Sequence, residues 1–108
     1  MSWAQQYKEL LAKGITVTFR PMGRSMEGLI NQGDLVTVEP YRPGRSGTPV
    51  VGAIVLVTVG GKDYLHLVKA INMEKMTFVI GNNKGGVNGE ATLAEIRGMV
   101  THVESEAK

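Results

Sequence analysis

From residue 15 onward, apolar and polar residues alternate along most of this chain. Side chains of a strand point to opposite faces in turn, so this alternation marks strands with one face on a core. ITVTFRP (15–21) and DLVTVEP (34–40) show it plainly. VGAIVLVTV (51–59) and DYLHLVKAI (63–71) follow, and the Gly60-Gly61-Lys62 between them reads as a hairpin turn. MTFVIG (76–81) and RGMVTHVE (97–104) complete the predicted strands. YRPGRSGTP (41–49) and NNKGGVNGE (82–90) are rich in Gly, Pro and Asn and are predicted to be loops, with TLAEI adding one helical turn.

Before residue 15 the period changes. Trp3, Tyr7, Leu10 and Leu11 fall on one face at helical spacing, Ser2 can cap the start, and Gly14 is a natural stop. The segment predicts a helix through Lys13 that lids a β core; a partner-binding or membrane-surface helix is the alternative use of the same stripe. The expected architecture is a mainly β domain, a partly open barrel or sandwich with one N-terminal helix. One domain spans 1–108: a helix over 1–14, a β core over 15–104 and a frayed tail over 105–108.

Composition narrows the function. At 108 residues, 43% hydrophobic and 20% charged, the chain has the balance of one globular domain. A net charge of +2 argues against a nucleic-acid partner, and Arg20, Arg24, Arg42 and Arg45 read as a solvated loop face. With no cysteine, thiol catalysis and Cys-based zinc sites are excluded, and His66 and His102 are too few for most metal sites. No metal or cofactor is expected. The longest apolar run, VVGAIVLVTV (50–59), is about half a membrane span, and the N-terminus lacks the pattern of a secretion signal. A soluble, cytoplasmic protein with no membrane association is the expectation.

The chemistry, if there is any, centres on Ser25. A serine hydroxyl needs a neighbouring base before it is a useful nucleophile. His66 lies mid-strand with Tyr64 and Val68 on its face, while Lys69 belongs to the other face if the strand is regular. A lone histidine in a strand is more often a structural residue than a base, and nothing singles out His102.

The order of the pieces resembles the signal peptidase and LexA-like serine peptidases. Gly23-Arg24-Ser25-Met26-Glu27-Gly28 is similar to their G-x-S-M-x-P, and Gly33-Asp34-Leu35-Val36 to the G-D strand that follows. Gly52-Ala53-Ile54-Val55, Leu65-His66-Leu67-Val68, Gly81-Asn82-Asn83 and Ile96-Arg97-Gly98-Met99-Val100 match later family elements in order. The likeness runs from Gly23 to Val103. It implies Ser25 as nucleophile, His66 as general base, an oxyanion donor from the Ser25 backbone N–H, and turn support from Gly23 and Met26. It also implies an extended peptide or protein substrate with small side chains flanking the cut bond, and a homodimer formed through the sheet.

Three departures accompany the resemblance. Gly28 stands where the family usually has proline, implying a looser turn, and Leu67 stands where arginine follows the base. Asn82, or alternatively Asn88, replaces an aspartate as the orienter of the base. An amide can hold an imidazole but cannot stabilise its charged form. Two functions therefore remain open: a serine peptidase using Ser25 and His66, or a weak or inactive peptidase-like domain acting as an interaction module.

Overall fold

A computed structural model describes residues 2–106. The chain forms helix α1 (Gln5–Ala12) and strands β1 (Val17–Phe19), β2 (Leu35–Pro40), β3 (Ile54–Val59), β4 (Lys62–Asn72), β5 (Thr77–Gly81), β6 (Val87–Thr92) and β7 (Ile96–Glu104). All seven strands belong to one open antiparallel sheet ordered β1-β2-β7-β3-β4-β5-β6. The domain is mainly β with one N-terminal helix, as the alternation predicts. Among the described residues no helix is long and apolar enough to cross a membrane.

Alternation gives the sheet two apolar faces, and each is covered. On one, Leu11 of α1 joins Val17, Phe19, Val36, Val38, Leu56, Leu65 and Leu67, with Met26 and Ile30 inserted from the segment between β1 and β2. On the other, Val55, Val57 and Val59 of β3 meet Val68, Phe78, Ile80 and Ala91. Successive residues of β3 thus feed opposite cores, which is why Ile54–Val57 is a continuous apolar run rather than an alternating one. The sheet bends so that β6 comes back toward β3: a Cβ at Gly89 would lie 3.0 Å from Val59 Cγ1.

Two boundaries differ from the sequence reading. The helix starts later than Ser2. Ala4 is its N-cap residue, while the Ser2 hydroxyl accepts from the Ala4 N–H at 3.1 Å and donates to Asp63. The larger difference is β6. Residues 87–90 of the stretch expected to be a loop, with Ala91 and Thr92 after them, pair with β5 from Thr77↔Thr92 to Gly81↔Val87, with one register shift between Ile80 and Gly81. Its polar outer face hid it, since an edge strand needs only its inner positions, Gly89 and Ala91, to be small or apolar. The expected single helical turn is a 3₁₀ turn at Leu93–Glu95. Of the expected frayed tail, Ala107 and Lys108 lie outside the described residues, and the Glu106 N–H reaches Asp34 Oδ1 at 3.4 Å.

Candidate active site

Ser25 lies in a turn between β1 and β2, and the local sequence explains its shape. The Ile30 N–H bonds to the Met26 carbonyl at 2.7 Å, one turn of helix that drops both apolar side chains into the core. Anchored on either side, the turn presents half-buried Ser25 toward β4. Gly28 has φ +96°, where proline cannot go, and its N–H donates to Asn31 Oδ1 at 3.0 Å. Glycine thus fits a left-handed position that the family's proline could not occupy. Gly23, at φ +95°, makes the matching bend before the serine. Asp34 closes the segment, its buried carboxylate accepting from the Asn31 N–H at 2.8 Å.

The Ser25 hydroxyl lies 3.0 Å from His66 Nε2. His66 is 8% exposed, with Tyr64 stacked on its ring at a centroid distance of 5.0 Å. Its second nitrogen, Nδ1, lies 2.6 Å from Asn88 Oδ1. An amide oxygen only accepts, so Nδ1 carries the ring proton and Nε2 offers its lone pair to the serine. The turn's own backbone bonds run from Glu27 to Arg24 and from Leu29 and Ile30 to Met26, and none among the described residues uses the Ser25 N–H.

Asn88 rather than Asn82 meets the ring, and a bulge is the cause. Ile80 pairs with Gly89 but Gly81 pairs with Val87, so Asn88 has no opposite residue on β5. The extra residue re-aims its side chain, a device common beside active sites. Asn82 is turned away. Its Oδ1 accepts from the Lys84 and Gly86 N–H groups, each at 2.8 Å, and shapes the β5–β6 loop. That loop clasps the serine turn: Asn83 donates its N–H to the Ser25 carbonyl at 2.9 Å and its amide to the Glu27 carbonyl at 2.7 Å, and Lys84 pairs with Glu27 at 3.0 Å. Asn82 thus supports the site indirectly.

Lys69 is a bulged residue too, since Val68 pairs with Ile80 and Ala70 with Val79. Its ammonium donates to the Asn82 carbonyl at 2.9 Å. His102 is exposed on β7, opposite Thr37 of β2, away from the serine. Among the described residues no cluster of His, Asp and Glu could hold a metal ion.

A cleft of about 460 Å³ opens beside Ser25 and His66. Its walls include Trp3 and Tyr7 from the N-terminal region, Phe19 from β1, and Met26 and Leu65. The wall formed by the N-terminal region is tied down by Asp63, which receives the Ser2 hydroxyl, Thr58 Oγ1 at 2.6 Å and the Lys8 ammonium at 3.0 Å. Burial alone would raise the Asp63 pKa, but these hydrogen bonds and the Lys8 charge hold it below the ordinary aspartate value.

No protein-family model, curated protein or solved structure matches this chain.

Proposed function

We propose that this protein is a serine peptidase in which Ser25 is the nucleophile and His66 the general base. The observation that carries the reading is the relay Ser25 Oγ to His66 Nε2 at 3.0 Å and His66 Nδ1 to Asn88 Oδ1 at 2.6 Å. Nucleophile, base and orienter come from three separate segments, and hydrogen bonds of this kind support reading them as a nucleophile–base pair.

His66 Nε2 takes the hydroxyl proton as Ser25 Oγ bonds to the substrate carbonyl carbon. The oxyanion so formed is met by the Ser25 N–H. Collapse breaks the C–N bond, and the imidazolium returns its proton to the leaving amine. Water then loses a proton to His66 and attacks the acyl carbon; the ester C–O bond breaks and the imidazolium returns that proton to Ser25 Oγ. Asn88 holds the ring throughout but adds no negative charge to stabilise the imidazolium, so turnover is slow. The substrate strand would lie along β4: β5 pairs with β4 only from Leu67 onward, leaving residues 62–66 with β3 as their one strand partner among the described residues. Main-chain bonding to such an edge suits an extended peptide.

The neutral orienter also favours the second reading, an interaction module that keeps the fold without turnover. A fluorophosphonate probe separates the two. Wild type should gain the probe's mass on Ser25, and Ser25→Ala and His66→Ala should gain none while keeping the same circular dichroism. An unlabelled wild type would discard the peptidase reading.

A further inference from the structure

We infer that the cleft beside Ser25 is a specificity pocket for a large apolar side chain, Leu, Met or Phe, flanking the cut bond. This rests on the peptidase reading, and it departs from the small-residue preference that the family resemblance implies. Three features of the molecule lead to it.

The first is size. A cleft of about 460 Å³ falls within the roughly 300–1,000 Å³ of small-ligand sites, far beyond what a methyl group fills. The second is lining. Trp3, Tyr7 and Phe19 form one aromatic cluster, with Tyr7 and Phe19 stacked at 4.3 Å and Trp3 tilted 5.9 Å from Phe19. Met22 and Trp3 remain exposed at the rim, 87% and 50%, which leaves apolar surface for an incoming side chain to cover. The third is continuity. The pocket is bounded by the segment leading into Ser25 and by Tyr64 and Leu65, which lead into His66. A peptide paired beside Leu65 therefore carries a side chain next to its reacting carbonyl over this space.

Asp63 is the positioning residue for the far wall. Its carboxylate holds Ser2 and Lys8, and its carbonyl accepts from the Trp3 indole N–H at 3.3 Å. The N-terminal region is thereby pinned to β4 at Asp63, which closes the pocket at that end and leaves the edge beside Leu65 for a substrate strand.

Trp3 is the only tryptophan, so its fluorescence reports occupancy without any need for turnover. The experiment titrates acetyl-Ala-Phe-Ala-amide and acetyl-Ala-Ala-Ala-amide into Ser25→Ala. The phenylalanine peptide should shift the emission saturably and bind about ten- to a hundredfold more tightly, the gain expected from burying one aromatic side chain. Tyr7→Ala in the same background, checked for native circular dichroism, should lose most of that difference. Equal affinities, or no saturable response to either peptide, would overturn the assignment. Cleavage by wild type separates this idea from the one beneath it. Selective binding with no cleavage of either peptide leaves the pocket standing and removes the peptidase; equal cleavage of both keeps the peptidase and removes the pocket.

Discussion

Two stretches of this chain, 41–49 and 82–90, look alike as sequence and end as different structures. Both are polar and rich in glycine. The first stays a loop, held by the Tyr41 hydroxyl on the Gly47 carbonyl at 2.6 Å and by Arg42 N–H on Ser46 Oγ at 3.0 Å. The second turns tightly at 82–86 and continues as β6. What separates them is a neighbour. Residues 87–92 follow β5 closely enough to fold back on its open edge, whereas Pro43 and Pro49 deny the first stretch ladder hydrogen bonds. A glycine-rich run is therefore weak evidence for a loop when an unpaired strand precedes it. Here the distinction matters chemically, because the strand half carries Asn88.

The sharpest way to break the contrast is Gly81→Ala. A Cβ at Gly81 would lie 2.2 Å from the Gly86 carbonyl oxygen, backbone that cannot step aside. We expect a loss of about 3 kcal/mol in urea unfolding, because the β5–β6 turn must open. Next comes Asn88→Ala, which leaves the strand intact but frees the His66 ring. Serine probe labelling should slow on the order of a hundredfold with the melting temperature almost unchanged. If Asn82→Ala were the variant that slowed labelling while Asn88→Ala did not, the assignment of the orienter would be reversed.

Asn88→Asp works in the other direction. A carboxylate at that position stabilises the imidazolium, so labelling should quicken by about tenfold, equivalent to roughly 1.4 kcal/mol. Acid stability then supplies a control remote from both stretches. Asp63 has its pKa lowered on folding. A carboxyl of that kind adds stability above its unfolded value, near 3.9 for aspartate, and that stability is lost as pH falls through the lower folded value. Wild type should weaken in this acid window in chemical denaturation, and Asp63→Asn should show a flatter slope. Gly44→Ala, in the loop that remains a loop, should matter least. Its φ of +82° strains alanine by about 1 kcal/mol, no atom beyond its chain neighbours lies within 4 Å of the new methyl, and labelling should be unchanged.

Periodicity alone was enough for the helix, for six of the strands and for the pairing of β3 with β4 across Gly60-Gly61, because those signals are local and each strand has at least one apolar face. Ser25 and His66 stood out by residue type and by their place in an ordered series of motifs. Four features depended on neighbours that no local pattern names. The last strand, β7, inserts between β2 and β3, and Gly98 permits it, since a Cβ there would meet Val38 Cγ1 at 2.6 Å and the Glu39 carbonyl at 2.8 Å. Strand β6 exists because β5 had an open edge. Gly28 is glycine because the turn is left-handed at that residue. Asn88 reaches His66 because one unpaired residue shifts the register of a strand, and register is a property of two chains of hydrogen bonds together.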